Sequence, residues 1–147
     1  MVLLIIVLMA IALFGVVMTM GSNSVNLDKV RANGYESEIK IAYPAMVKSI
    51  INYKSVYNRF PSEDKWKTQI FPDFGKMPVV SFQSEWEYKT IGNDHYICLK
   101  SYRNDSTEKA FVSISEEHSY GYLYGSQCGG SDNLADNENN IFLSYKI

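Results

Sequence analysis

Residues Met1–Met20 read MVLLIIVLMAIALFGVVMTM, and this stretch decides the architecture of the chain. Only Gly15 and Thr19 interrupt its apolar side chains, and no charged residue occurs before Asp28. A helix of this length spans about 30 Å, the thickness of the hydrocarbon core of a bilayer. A buried helix of a soluble domain is the less favoured alternative, because such a helix has a polar face and this stretch has none. The stretch therefore predicts a helix that lies in a membrane or packs among helices like itself.

A cleaved secretory signal is a second alternative for the same stretch. Such a signal needs a basic region before the apolar run and a small-x-small cleavage site after it. No basic residue precedes the run, and Met18–Gly21 is a poor cleavage site, so we expect the segment to be retained. Lys29 and Arg31 follow it and would keep that flank in the cytoplasm by the positive-inside rule. A basic leader removed ahead of Met1 would reconcile these charges with an exported head.

The composition of the whole chain excludes several functional classes. The 147 residues carry a formal net charge of −2, which excludes a basic nucleic-acid-binding protein. An apolar content of 46% excludes a disordered acidic tail. The sequence contains no HExxH, P-loop or GxSxG motif, and we expect both histidines, His95 and His118, at the surface. We therefore expect neither an enzyme nor a nucleic-acid partner.

Apolar residues recur at helical spacing after the first segment, over residues 25–57. The predicted buried stripe consists of Ile39, Ala42 or Tyr43, Met46, Ile50, Tyr53 and Tyr57. Pro44 lies inside the pattern and is expected to bend the helix, because it lacks an N–H donor. Gly15 and Gly21 are poor helix formers and predict a flexible joint between the apolar and amphipathic parts.

The remainder, residues 58–147, is predicted to be a β-rich head. Residues 62–81 are expected to form a connecting loop with a short helix around Glu63–Ile70, and Gly92–Asp94 a hairpin turn. The predicted strands are Glu85–Ile91, His95–Tyr102, Ala110–Ser115, Tyr120–Tyr124 and Ile141–Ile147. Arg103–Lys109 and Gly125–Asn140 are expected to be polar loops. The predicted fold is α+β: a long N-terminal helix, apolar over 1–24 and amphipathic over 25–57, packs on a C-terminal antiparallel sheet.

This layout resembles that of type IV pilins and of the pseudopilins of type II secretion. The apolar N-terminus, the amphipathic continuation with an internal proline, and the β-head with a cysteine pair carry the resemblance. The segment Tyr53–Ser62, YKSVYNRFPS, is similar to the Tyr-x₄-Gly-Arg-Tyr-Pro-Thr segment that ends the helix in major pseudopilins. Ile5 departs from the family pattern, which usually has a glutamate at that position.

The resemblance implies a structural subunit that polymerises into a pilus or pseudopilus. Its expected partners are copies of itself, other pilins, the assembly machinery and, before assembly, the inner membrane; the filament would be extracellular or periplasmic. Helix packing is expected to involve Met1, Leu4, Ile5, Leu8, Ala12, Gly15 and Gly21, since small residues allow helices to approach closely. The alternative is an extracytoplasmic binding domain with a single membrane span that does not polymerise.

Cys98 and Cys128 are expected to form a disulfide, because an exported head meets oxidising conditions. Closing a loop of about 31 residues would stabilise the head by roughly 3–4 kcal/mol. Two buried free thiols in a reducing compartment are the alternative.

The loop Gly125–Asn140 is rich in aspartate and asparagine and suggests a calcium site. Its candidate ligands are Asp132, Asp136 and Glu138, and major pseudopilins bind calcium in a comparable loop. The spacing is not that of an EF-hand, and a solvated loop with Asx turns explains the same composition. No other cofactor is expected.

Three tyrosines, Tyr120, Tyr122 and Tyr124, alternate and are predicted to share one face of a strand. We expect them to pack against the helix or the sheet. The alternative is an adhesive surface for a neighbouring subunit, a host receptor or DNA.

Overall fold

The long helix α1, Leu27–Tyr57, organises the molecule. The structure is a computed structural model that describes residues 26–131 and 139–147. α1 begins where the Asn26 side chain accepts a hydrogen bond from the Lys29 backbone N–H at 3.1 Å, and ends at Asn58 in the left-handed region. Pro44 lies inside α1, and the helix continues on both sides of it.

Four antiparallel strands form one sheet beside α1. They are β1 (Ser84–Ile91), β2 (Asp94–Tyr102), β3 (Tyr122–Gly125) and β4 (Asn140–Lys146), in the spatial order β1-β2-β4-β3. The β1–β2 hairpin turns at Gly92, whose positive φ of 61° suits glycine, so the predicted turn is confirmed. Together with a short helix α2, Trp66–Ile70, this arrangement confirms the predicted α+β class.

The prediction of a strand at Ala110–Ser115 is wrong. Helix α3 spans Asp105–Glu117, so the predicted polar loop Arg103–Lys109 contributes its first turn. Asn104 caps it, since its side chain accepts hydrogen bonds from the backbone of Ser106 and Thr107. Below this cap, buried side chains recur at three- and four-residue steps along the helix: Thr107, Ala110, Phe111 and Ile114.

Smaller differences concern the ends of elements. Tyr57 is half exposed, so the buried stripe of α1 ends at Tyr53. α2 begins at Trp66 rather than near Glu63. Tyr120 lies in a turn before β3, and its side chain is fully exposed.

The two faces of the sheet are covered differently. The main core lies between the helices and one sheet face, and its central side chains are Ile39, Tyr43, Met46, Ile50, Phe111, Ile114, Trp86, Ile97, Leu99, Ile141 and Leu143. On the opposite face, Cys98, Tyr96 and Phe142 pack with Cys128 in a second, smaller cluster. Strand alternation explains the division, because Ile97 and Leu99 face the helices whereas Cys98 between them faces away.

Candidate assembly surface

α1 has a second face that its amphipathic pattern did not predict. Its buried residues (Ala32, Ile39, Ala42, Tyr43, Met46, Ser49, Ile50 and Tyr53) lie on the sheet side. At about 100° per residue, the opposite arc of roughly 120° is the outward face of α1. It consists of Leu27, Val30, Asn33, Gly34, Ser37, Ile41, Pro44, Ala45, Lys48, Ile51, Asn52 and Ser55, all exposed.

The outward face is apolar rather than charged. Its large apolar residues are Leu27, Val30, Ile41 and Ile51, whose side chains are between 49% and 75% exposed. Lys48 is the only charged residue of the twelve. A helix that covers a soluble domain usually presents charged side chains to water, so this face has the composition of a contact surface.

Polar contacts fix α1 along both edges of this face. On one edge the Lys40 ammonium lies 2.7 Å from the Glu36 carboxylate and 2.6 Å from that of Glu117 in α3. The hydrogen bond to Glu117, followed by that to Glu36, raises the pKa of Lys40, and Lys40 in turn lowers the pKa of Glu117. On the other edge the Glu38 carboxylate accepts hydrogen bonds from the backbone N–H and the hydroxyl of Ser81, at 2.6 and 2.7 Å.

An open groove borders the outward face on the Lys40 side. We call it the tyrosine groove; it has a volume of about 920 Å³. Its apolar lining comes from Pro44, Val47 and Ile51 of α1 and from Tyr120, Tyr122 and Tyr145. Gly121 also lines the groove, and a Cβ atom there would lie 2.8 Å from the Tyr145 ring, so a larger residue would displace this ring.

The predicted packing role of the three tyrosines is therefore correct for two of them. Tyr122 and Tyr124 are half-buried against the core, and burial raises the pKa of Tyr122 to about 12. The Tyr124 hydroxyl donates to the Glu108 carboxylate at 3.1 Å. Tyr120 packs against no core residue and extends into solvent at the rim of the groove.

Beneath this surface, Tyr43 joins α1 to the sheet. Its buried hydroxyl accepts a hydrogen bond from the Leu99 backbone N–H of β2 at 3.0 Å and donates one to the Leu143 carbonyl of β4. Burial raises the pKa of Tyr43 well above its ordinary value, so the hydroxyl stays protonated. The outward face is thus held on a rigid support.

The predicted disulfide is confirmed. Cys98 and Cys128 are bonded, with their Cα atoms 5.6 Å apart. The bond fixes the loop after β3 against β2, and the Gly129 N–H donates to the Ser144 hydroxyl of β4 at 2.9 Å. Gly129 has a φ of 79° and approaches Ile91 so closely that a side chain would clash.

The predicted calcium ligands and assembly residues lie outside the described part of the chain. This holds for Asp132, Asp136 and Glu138, and for Met1, Leu4, Ile5, Leu8, Ala12, Gly15 and Gly21. Within residues 26–131 and 139–147, no three His, Cys, Asp or Glu side chains are grouped so that they would hold a metal ion. In the same ranges, no helix has the length and apolar character needed to cross a membrane.

The two histidines lie at different depths. His118 is half exposed at the end of α3. His95 is partly buried: its ring stacks on Phe60, and its Nδ1 lies 2.7 Å from the Tyr88 hydroxyl oxygen. The expected surface position therefore describes His118 better than His95.

Sequence reasoning missed the outward face because it searched α1 for one apolar stripe. The available signal was the absence of charge at positions 27, 30, 34, 37 and 41, which share one side of a helix.

Comparison of the chain with protein-family models, with curated proteins and with solved structures found no match.

Proposed function

We propose that this chain is a structural subunit of a filament of the type IV pilin and pseudopilin kind, which polymerises through its N-terminal helix. One observation carries the proposal: the outward face of α1 is exposed and apolar and has a single charge, Lys48. In the sequence this face follows residues 1–26, which contain no charged side chain. An uncharged, largely apolar stretch followed by a helix with an apolar outward face is best explained by neighbouring helices that cover both.

The length of the outward face favours a filament over an anchored monomer. A single-span anchor needs about 20 apolar residues, which Met1–Met20 supplies by itself. The outward face extends roughly 40 Å further, from Leu27 to Ser55, and in a monomer it would stand in water. In a bundle of copies, burial of this face contributes about 25 cal/mol per Å² of apolar surface.

The proposed mechanism is non-enzymatic. The apolar stretch Met1–Met20 holds the subunit in the inner membrane before assembly and then packs among copies of itself and other pilins. An assembly machinery supplies the work, and the sheet forms the outer surface of an extracellular pilus or a periplasmic pseudopilus. The proposal includes no nucleic-acid partner. The candidate ligands for calcium are Asp132, Asp136 and Glu138, which precede β4 in the sequence.

Ile41→Asp tests the proposal. Ile41 is 75% exposed, so the head should fold normally. In a packed filament the carboxylate would be buried without a partner, and we expect at least about tenfold less filament. The measurement is electron microscopy and quantification of material sheared from cells that express the full chain.

Asn93→Asp is the matched control, because it adds the same charge at the exposed β1–β2 turn. It should leave the filament yield unchanged. Equal yields from wild type and Ile41→Asp, with equal melting temperatures, would contradict the proposal. Mass spectrometry adds a second criterion: a cleaved leader with an N-methylated Met1 supports it, whereas an unmodified initiator Met1 favours the anchored domain.

A further inference from the structure

Lys48 is the one charged side chain on the outward face of α1, and it lacks a counter-ion. It is exposed, and among residues 26–131 and 139–147 no acidic side chain forms an ion pair with it. The positions one helical turn before and after it carry no charge: Pro44, Ala45, Ile51 and Asn52. An unpaired ammonium is well solvated in water but costly in a contact that excludes water.

The carboxylate that lines the tyrosine groove together with Lys48 is already engaged. It belongs to Glu117, and it lies 2.6 Å from the Lys40 ammonium and 3.7 Å from the His118 ring. The hydrogen bond from Lys40 lowers the pKa of Glu117, and the charge of His118 contributes further. Glu117 therefore interacts with Lys40 and His118 rather than with Lys48.

The long helices of identical copies cannot neutralise Lys48 either. Residues 1–26 contain no aspartate or glutamate. The carboxylates of α1 belong to Asp28, Glu36 and Glu38, and none of these residues lies on the outward face. A second copy that packed by its own outward face would bring another Lys48 toward the first. In a bundle of identical helices this ammonium would thus be buried without a partner.

A carboxylate on the neighbouring helix would remove this cost. Burial of a charge in a helix contact is tolerated when an opposite charge faces it. One aspartate or glutamate within an otherwise apolar helix supplies that charge and leaves the apolar contact around it intact. It also fixes the register of the two helices, because the pair forms at one position only.

We propose that the neighbour at Lys48 is a different protein, whose helix carries one aspartate or glutamate within an apolar face. The inference rests on the proposed filament function and adds to it the partner of the outward face. The exposed carboxylates of the head, such as those of Asp73 and Glu116, are not the expected partners of Lys48. In the proposed filament they lie outside the contact between the long helices.

Lys48→Met in the full chain tests this partner. Methionine keeps the length of the side chain and a high helix propensity, and position 48 is exposed, so the melting temperature of the head should not change. A carboxylate that faces Lys48 would lose its partner, and we expect at least about tenfold less of this chain in sheared filaments. If only apolar helices or water surround Lys48, the substitution removes an unpaired charge. Equal or higher incorporation would therefore overturn the inference and leave the filament function standing.

Two variants control for effects other than charge. Lys48→Arg keeps the positive charge and should be incorporated nearly as well as the wild type. Lys109→Met makes the same substitution at an exposed position of α3, away from the outward face, and should leave incorporation unchanged. Equal losses from Lys48→Met and Lys48→Arg would also refute the acidic partner, because the charge would then not matter.

A photo-reactive benzoylphenylalanine at position 52 identifies the neighbour, because Asn52 is exposed one turn after Lys48. The expected product joins this chain to an apolar peptide of another protein that contains an aspartate or glutamate. Lys48→Glu should lose incorporation and regain it when lysine replaces that acidic residue of the partner. Cross-links confined to other copies of this chain would overturn the inference, although the filament function would remain. Absence of the wild-type chain from sheared filaments would contradict both.

Discussion

Tyr43 shows how one side chain determines the position of α1. Its hydroxyl lies between two paired strands, where it contacts the backbone of Leu99 and of Leu143. Its ring packs edge-on against Trp86 and Tyr122, with centroids 4.9 and 5.1 Å away. The ring packs in the apolar core, and the two hydrogen bonds of the hydroxyl fix the position of α1 on the sheet.

Tyr43→Phe should therefore destabilise the head although the ring remains. The Leu99 N–H and the Leu143 carbonyl would each lose a buried hydrogen-bonding partner, at a cost of about 1–3 kcal/mol. Chemical denaturation of the full chain in detergent measures the change. Tyr120→Phe serves as the control, because Tyr120 is fully exposed and its hydroxyl forms no described contact with the core. Equal losses in both variants would refute the role of the Tyr43 hydroxyl.

His95 makes the stability of the head depend on pH. Burial, followed by the nearby Lys54 ammonium, lowers the pKa of His95 from its ordinary value of 6.5. The Tyr88 hydroxyl, whose pKa burial raises to about 12, remains protonated and shares a hydrogen bond with Nδ1 of the neutral ring. A folded pKa below the unfolded one means that this contribution is complete above pH 6.5 and is lost as the pH falls through the folded pKa.

We expect the denaturation midpoint to fall when the pH is lowered from about 7.5 to about 5, the range in which histidine titrates. His95→Gln should make this part of the profile flatter, because glutamine carries no charge. His118→Gln should retain the wild-type slope, since His118 is half exposed at the end of α3. A profile that is identical in wild type and His95→Gln would disprove the assignment.

At the scale of elements, α1 was predictable and α3 was not. The four- and three-residue spacing of Ile39, Tyr43 and Met46 predicts a helix, and α1 extends over 31 residues. In α3 the short run Val112–Ser115 alternates apolar and polar residues, which fits a strand as well as one helical turn. The cap at Asn104 decides between them, and the prediction failed because it placed this residue in a loop.

Asn104→Ala should accordingly destabilise the head by about 1 kcal/mol. The side chain accepts hydrogen bonds from Ser106 and Thr107 at 3.1 and 3.0 Å, and alanine would leave both N–H groups without it. Circular dichroism during thermal unfolding measures the effect. Lys109→Ala, at an exposed position of the same helix, should change stability little. If Asn104→Ala and Lys109→Ala lost the same stability, the cap at Asn104 would not determine where α3 forms.

For the whole molecule, local patterns predict the fold class and one part of the candidate surface, but not the tyrosine groove. The outward face of α1 could be predicted from its missing charges alone. The tyrosine groove could not, because it joins Pro44 to Tyr145 across some hundred residues of chain. Its shape depends on the turn before β3 and on the close approach of Gly121 to Tyr145, which no sequence periodicity encodes.

The disulfide has a consequence for how the head withstands proteolysis. It closes a covalent ring from Cys98 to Cys128, and this ring contains all of α3 and β3. The turn around Tyr120 is the kind of site that proteases cut, and it lies inside the ring. A chain cut there would keep both pieces joined, and they would separate only after reduction. Damage at its most exposed tyrosine would therefore not release a fragment of the head.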